Sequence, residues 1–427
     1  MKQQICLHGL DVKNKNQLLA LLQKSLPPAV VKSKLKEKYL NDNDILKYTE
    51  SKLVLQHKAG YKVRCLSGVM VVSDKLTDIN DVLITYDSGS LVQVRRLIGK
   101  LLASKLKFVL EEPDLELRIM QLRGYYKLTD SPLYDSDNIM TALNCHLPWQ
   151  IYGVNKSWAE LLAKPEDKPS VRQLRVKLRR LRSSLTFFKP LLPVQQADYW
   201  RQMFKSWTDL LSDAREYDVA LLTCAKIRRS QPDGEDSLPL SLEGLLVQER
   251  QAASKKVRAL NRLNKLTGVL ADFLLFLQNT PVTEDCCGMR LKSFIRMRLG
   301  DWCDNLAAMP KKYPDMHDME QLHKIRIKVK RFRYALQGVP EIPTPSALLR
   351  SLKSLQDMLG LLHDDYINDR LVADILQRHD DNAALRYEGA MFCGWERAKA
   401  EAALAVVPEL WENFMSQLTS WRSECID

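Results

Sequence analysis

The apolar residues of the chain follow different periods in its two parts. From about residue 138 onward they recur every three or four residues over long stretches, which is typical of amphipathic helices. Segments with Pro or Gly interrupt the pattern, as in KPEDKPS at 164–170 and QPDGEDSLP at 231–239, and helices are expected to stop there. Residues 241–278 predict either one very long helix or two helices that meet near Gly268. Long helices joined by short polar loops favour antiparallel bundles.

Residues 1 to about 135 mix helical and strand periods. Residues 16–25, 30–48 and 91–110 have helical spacing, whereas residues 52–72 alternate as strands do, with turns expected at Gly60 and Gly68. The stretch 122–136 contains Gly and Pro and is typical of a domain boundary. The pattern therefore predicts a mainly α protein in which a smaller α+β domain (1–135) precedes a helical domain (136–427).

The helical part contains an internal repeat. The segments KPSVRQLRVKLRRLRSSL and MEQLHKIRIKVKRFRYAL align at an offset of 151 residues. Their apolar positions coincide, as Leu174 with Ile325 and Leu178 with Val329 show. Their basic positions also coincide: Arg172 with His323, Arg175 with Arg326, Lys177 with Lys328, Arg179 with Lys330, Arg180 with Arg331 and Arg182 with Arg333. We predict two repeats, at about 138–278 and 285–420.

The phase of these signatures places the cations beside the apolar stripe. At about 100° per residue, Arg172, Arg175, Arg179 and Arg182 fall on one flank of that stripe. There is no acidic residue in 171–192 or in 321–340. Like charges at these spacings repel by a few tenths of a kcal/mol per pair, so we expect a compensating anion from outside the helix. The alternative is that the cations pair with Asp and Glu on neighbouring helices.

Composition and charge add modest constraints. The chain of 427 residues has a net charge of +12, and its nine Cys are irregularly spaced, with no pattern of zinc ligands or disulfides. No apolar run approaches the roughly 18 residues of a membrane span, and the first residues lack the apolar core of a secretory signal. We therefore expect a cytoplasmic protein with reduced thiols, no metal and no cofactor.

The two signatures, with the segments that follow them, resemble the paired motifs of the CHAD (conserved histidine α-helical) domain family. The following segments are LLSDAREYDVALL at 210–222 and LKSLQDMLGLLHDDYINDRLV at 352–372, and the resemblance covers about 138–420. It implies two pseudo-symmetric four-helix bundles whose basic residues line a groove or pore that binds inorganic polyphosphate. It also implies an association with polyphosphate granules. Arg172 stands where the family usually has His, which argues against a metal ligand or a phosphoacceptor at this position.

The resemblance and the helical phase together give the candidate polyphosphate-binding residues. Lys255 and Lys256 are included because they lie in the long helix that ends the first repeat. Tyr334 offers a hydroxyl donor, although a packing role fits equally well, and His363 is equally compatible with pairing to Asp218 or Asp365. The full set is Arg172, Arg175, Lys177, Arg179, Arg182, Lys255, Lys256, His323, Arg326, Lys330, Arg333, Tyr334 and His363.

Two other functions stay open at this stage. A general nucleic-acid binder would need aromatic stacking platforms among the cations, and the signatures contain only Phe332 and Tyr334. An enzyme acting on polyphosphate or triphosphate would need a divergent N-terminal catalytic domain. The sequence has no P-loop, and it lacks the ExExK motif of the triphosphate tunnel (CYTH) domains that often precede CHAD domains. The balance favours a binding protein over an enzyme.

Overall fold

A computed structural model describes most of the chain. It covers residues 3–10, 12, 15–26, 29–39, 45–55, 60–72, 75–122, 139–164, 167–230, 241–261, 264–280, 289–312, 318–338, 342–379 and 381–426. The described residues form two compact units. The first is drawn from residues 1–132, 143–177 and 257–283, and the second from 133–142, 178–256 and 284–427. The domain boundary predicted near residue 135 lies outside the described residues.

An antiparallel sheet forms the centre of the first unit. Its six strands follow the order β2-β3-β4-β5-β1-β6. The elements of this region are β1 (Gln3–Gly9), α1 (Lys15–Ser25), β2 (Ala29–Tyr39), β3 (Ile45–Leu55), β4 (Tyr61–Val72), β5 (Lys75–Tyr86), a 3-10 turn (Ser88–Ser90), α2 (Leu91–Leu102), β6 (Phe108–Glu111) and α3 (Leu115–Leu122).

The two faces of this sheet differ in what covers them. Helices α1 and α2 contact β4 and β5 and bury apolar residues such as Leu18, Leu22 and Leu97. On the opposite face, Ile119 of α3 packs with Leu46 and Met70 in a separate small core. Burial of these apolar side chains on both faces supplies most of the stabilisation of such a sheet.

The helix predicted over residues 30–48 is wrong, because β2 and the start of β3 occupy this segment. Lys, Leu and Glu favour helices and suggested helical spacing, whereas lysines at every second position of β2 follow a strand period. The helix predicted at 91–110 ends at Leu102, and β6 begins at Phe108. Gly68 lies inside β4 rather than at a turn, and a Cβ at Gly68 would collide with the carbonyl oxygen of Lys47 on β3.

The remainder of the described chain is helical. The helices are α4 (Ile139–Ala163), α5 (Lys168–Phe187), α6 (Val194–Leu210), α7 (Ser212–Ser230), α8 (Leu242–Asn261), α9 (Lys265–Asn279), α10 (Leu291–Ala307), α11 (Met309–Lys312), α12 (Met319–Gly338), α13 (Ser346–Arg378) and α14 (Ala383–Cys425), with a 3-10 turn at Lys189–Leu191. The predicted fold class, a mainly α protein with a smaller α+β N-terminal part, is confirmed.

Asn264 separates α8 from α9, so the two-helix alternative for residues 241–278 is correct, with the break four residues before Gly268. Asn264 adopts a left-handed backbone conformation (φ 48°). Its Nδ2 donates to the carbonyl oxygens of Leu102 and Leu106 at 2.9 and 3.0 Å, and its Oδ1 accepts from the Phe108 amide at 3.1 Å. The connection is therefore fixed to the end of α2 and the start of β6.

Two apolar cores stabilise the second unit. In one, Phe332 of α12 contacts Phe414 and Trp421 of α14 through their ring edges, and α10, α12, α13 and α14 pack as neighbours. In the other, Leu246 of α8 packs with residues of α7, α13 and α14. Helix α14 spans 43 residues and contributes to both cores. Within the described residues, no helix combines the length and apolar character that a membrane crossing requires.

Candidate functional site

The two signature segments form equivalent helices. Helices α5 and α12 each contain 20 residues, and the start and end of α12 lie 151 positions after those of α5. The predicted apolar stripes are buried in both, as Leu178 and Leu181 of α5 and Val329 and Phe332 of α12 illustrate with 0% exposure. Burial of these stripes fixes the rotation of each helix about its axis and therefore the direction of its cations.

Six cations of the second unit form a group that we call the cationic track. Its members come from α5, α6 and α12, and each is half-buried. They are Arg179, Arg182, Arg201, Arg326, Lys328 and Arg331. Arg326 lies within electrostatic range of Arg179, Arg179 within range of Arg182, and Arg182 within range of Arg331 and Arg201. Arg331 in turn lies near Arg201 and Lys328.

Burial and like charge both act against ionisation in the track. Burial, with a further contribution from Arg179, lowers the pKa of Arg326 to about 10. Burial, then Arg331, lowers the pKa of Arg182. Burial, followed by neighbouring cations, likewise lowers the pKa values of Arg331 and Lys328. The track therefore concentrates positive charge at a cost in folding free energy.

Four arginines of the signatures also carry an Nε donor that has no hydrogen-bond partner in the described part of the chain. The Nε atoms of Arg179, Arg180, Arg182 and Arg326 are buried without a partner among the described residues. A buried donor that forms no hydrogen bond costs about 1–3 kcal/mol, and more when it carries charge. These four buried donors lack an acceptor among the described residues of the protein without ligand.

Few carboxylates oppose this charge in the described part of the chain. Asp364 lies near Arg326 and Lys330, and Asp209 near Arg182. Burial raises the pKa of Asp364, while the nearby Arg326 and Lys330 act in the opposite direction. Arg201 forms an ion pair with Asp198 at 2.7 Å, and Asp198 also accepts from Lys189 at 2.8 Å.

His323 and His363 lie side by side at the other end of the basic row of α12. Their Nδ1 atoms are 3.2 Å apart, so one ring donates an N–H hydrogen bond to the ring nitrogen of the other. Burial lowers the pKa of His323, as do Arg326 and Lys330. Both rings and Arg326 line a cavity of about 470 Å³ between α12 and α13. The sequence had placed both histidines at the site, but their direct pairing requires the packing of two helices.

The remaining predicted residues of α12 have defined surroundings. Arg333 donates from Nη1 to Oε1 of Gln356 at 2.5 Å, which anchors it to α13. The guanidinium of Arg180 lies over the Tyr334 ring, 5.8 Å from its centroid, so the ring has a packing role. Lys330 is half-buried and close enough to His323 to lower the pKa of that residue. Of the two carboxylates considered as partners of His363, Asp365 has its Oδ2 3.9 Å from Nε of Arg397, and Asp218 pairs with Arg250.

The other five predicted residues are not members of the cationic track. Arg172, Arg175 and Lys177 belong to the first unit, where Arg172 is exposed and the other two are half-buried. Lys255 and Lys256 are exposed on α8 of the second unit. Their assignment as ligands stays a prediction.

Sequence reasoning missed part of the track. It left Lys328 and Arg331 out of the site, although Lys328 matches the predicted residue Lys177 in the repeat and Arg331 matches the basic residue Arg180. Arg201 is an isolated basic residue of α6, and no sequence pattern marks it. Among the described His, Cys, Asp and Glu residues, no group of three is arranged to hold a metal ion.

Comparison with known proteins decides the family. The family model described as CHAD domain matches residues 154–373, which is half of the chain. The chain belongs to the CHAD domain family. The N-terminal region lies outside this match.

Two solved structures support the CHAD fold. The CHAD domain from the plant Ricinus communis matches with a TM-score of 0.50 and 19% identity, over 68% of this chain and 96% of that one. PptA from Streptomyces chartreusis matches with a TM-score of 0.50 and 19% identity, over 65% of this chain and 100% of that one. At such identities the likeness concerns the fold alone. A comparison with curated proteins gives no match.

Proposed function

We propose that this CHAD protein binds inorganic polyphosphate, with successive phosphates lying along the cationic track. The observation that carries the proposal is the set of buried, unpartnered Nε donors of Arg179, Arg182 and Arg326 within a group of mutually repelling cations. Such a group lowers the stability of the protein without ligand. Anionic oxygens that bind among these cations offset this cost in free energy.

The chemistry of arginine matches a phosphate chain. Its planar guanidinium presents parallel N–H donors to phosphate oxygens, and such charge-assisted bonds are about twice as strong as neutral ones. Displacement of the counterions condensed on the polyanion adds a favourable, salt-dependent contribution to binding. Arg172, Arg175 and Lys177 continue the same basic row along α5 and stay predicted members of the site.

The surroundings of the track favour polyphosphate over nucleic acid. Base stacking needs an accessible aromatic face, and neither aromatic residue of the signatures offers one, because Phe332 is fully buried and the guanidinium of Arg180 lies over the Tyr334 ring. Pairing with neighbouring carboxylates, the other alternative, is limited near the track to a few acids such as Asp364, Asp209 and Asp198. The proposed localisation to polyphosphate granules follows from this binding.

Substitution of two track residues tests the proposal. We expect the Arg179→Gln/Arg326→Gln variant to bind long-chain polyphosphate at least about 100-fold more weakly, because each lost charge-assisted bond is worth about 1.5–3 kcal/mol. The measurement is titration calorimetry of the full chain at fixed salt. An Arg229→Gln/Arg386→Gln variant, which removes two exposed arginines of the second unit, is the matched control and should bind like the wild type.

Two results would contradict the proposal. One is unchanged affinity of the folded Arg179→Gln/Arg326→Gln variant. The other is competition by single-stranded RNA as effective as that by polyphosphate at equal phosphate concentration, which would indicate a general polyanion surface.

A further inference from the structure

The N-terminal sheet has an exposed, strongly basic area that the helical site does not explain. Side chains directly opposite each other on paired antiparallel strands lie on the same face of the sheet. The strand register places Lys32 of β2 opposite Lys52 of β3, and Lys52 opposite Arg64 of β4. Three cations therefore form a row across three strands, spaced at about 4.8 Å.

Further cations extend this row along the strands. On the same face, Lys34 and Lys36 follow Lys32 at two-residue steps, and Lys62 precedes Arg64 by two residues. Side chains at such steps are separated by about 6.7 Å. We call this area the sheet patch, and it consists of Lys32, Lys34, Lys36, Lys52, Lys62 and Arg64.

Little negative charge balances the sheet patch. On this face of β2, β3 and β4 the described residues include one carboxylate, that of the buried Glu50, which pairs with Lys36 at 2.5 Å and with Arg64 at 3.2 Å. Lys32, Lys34, Lys52 and Lys62 are exposed. Like charges directly opposite one another destabilise a sheet, so the row Lys32–Lys52–Arg64 opposes folding of the isolated domain.

Protection of a sheet edge accounts for only part of the patch. Exposed lysines often prevent an edge strand from pairing with another chain, and β2 lies at the edge of this sheet. That explanation covers Lys32, Lys34 and Lys36. It does not cover Lys52, Lys62 and Arg64, because β3 and β4 are interior strands.

We propose that the sheet patch is a second anion site, one that binds a chain of linked phosphates in solution. The geometry supplies cations at steps of about 5–7 Å in two directions, which suits a flexible anion with several charges better than a single phosphate. The aromatic side chain described beside it, Tyr48, is half-buried and has the Lys36 ammonium 5.9 Å from its ring centroid, so bases find no open stacking platform there. The choice of ligand class rests on the function proposed above, whereas the presence of an anion site does not.

Lysine footprinting of the full chain tests the sheet patch directly. With sodium tripolyphosphate present, we expect acetylation of Lys52 and Lys62 to slow at least about threefold. Lys47, which lies on β3 but on the opposite face, is the internal control and should react at an unchanged rate. Equal reaction rates of Lys52 with and without the anion would overturn the proposal.

A pair of variants separates this site from the helical one. In calorimetry with long-chain polyphosphate, Lys52→Gln/Lys62→Gln should lose one class of binding sites and Arg179→Gln/Arg326→Gln the other. Loss of two contacts should also flatten the slope of log affinity against log salt by about one to two units, as for nucleic acids. If only the arginine variant changes binding, the sheet proposal fails alone; if only the lysine variant does, the helical proposal fails alone.

The choice of anion is tested in the same titration. Single-stranded RNA or anionic phospholipid vesicles that protect Lys52 and Lys62 more strongly than tripolyphosphate, at equal phosphate concentration, would overturn the assignment to linked inorganic phosphates.

Discussion

Individual basic residues on the same helix differ in what they do. Arg333 is anchored by Gln356, and Arg326 has a buried Nε without a partner, although both belong to one signature on α12. Arg298, outside the signature, donates from Nε to the carbonyl oxygen of Phe187 at 3.0 Å and so satisfies the end of α5. A basic residue can therefore be assigned to an anion site only when its hydrogen-bond partners within the protein are known.

The paired histidines predict proton uptake on binding. Burial and the neighbouring Arg326 and Lys330 lower the pKa of His323 in the free protein. Phosphate oxygens would offset those charges and raise this pKa, so the bound state holds more protons. We therefore expect polyphosphate to bind more tightly as the pH falls through the range below about 6.5, the ordinary value for histidine.

Calorimetry at pH 6 in two buffers of different ionisation enthalpy measures this uptake. His323→Asn should abolish most of it, whereas His379→Asn, at the end of α13, should leave it intact. Proton release by the wild type, or equal heats in both buffers, would contradict the role of His323.

The lowered pKa of His323 also means that the free chain loses stability as the pH falls through about 6.5, because the unfolded state takes up the proton first.

At the scale of elements, the long periodic helices were predictable and the short connections were not. The stripes of α5 and α12 repeat at three and four residues and were correct in phase, because burial of an apolar stripe dominates the orientation of a helix. Strand β2 was misread because its lysines have high helix propensity, while its strand form depends on pairing with β3. The cationic track was half predictable, because Arg201 joins it only through packing of α6.

The side chain and backbone conformation of Asn264, between α8 and α9, should contribute measurably to the stability of the first unit. Asn264→Ala should destabilise the first unit by about 3–5 kcal/mol, because it removes three hydrogen bonds and strains a left-handed backbone position. Asn264→Gly removes the same bonds without the strain and should cost about 1–2 kcal/mol less. Chemical denaturation measures both differences. Equal destabilisation by Ala and Gly would rule out the contribution of backbone strain.

At the scale of the whole molecule, the chain has a net charge of +12, and its basic residues are unevenly distributed. Both the track and the sheet patch hold cations close together at a cost in stability, so an anion that binds only the folded state should stabilise it. Polyphosphate at 100 times its dissociation constant should add about 2.7 kcal/mol. Thermal unfolding should show a rise in Tm that is smaller for Arg179→Gln/Arg326→Gln than for the wild type.

The control for this shift is the chain without ligand. Without polyphosphate, the Arg179→Gln/Arg326→Gln variant should melt at or above the wild-type temperature, because two repelling charges have been removed. A lower Tm without ligand would show that Arg179 and Arg326 stabilise the fold and would contradict the cost assigned to the track.

Helix α14 also has a mechanical consequence for the second unit. At 1.5 Å per residue its 43 residues form a rod about 65 Å long, with Leu385 in the core beside α8 and Trp421 in the core beside α12. An uninterrupted helix of this length would transmit a displacement from one core to the other, but Pro408 lies between Leu385 and Trp421. Pro408 interrupts its hydrogen bonding and gives the rod a compliant joint, so any bending of the unit is concentrated there.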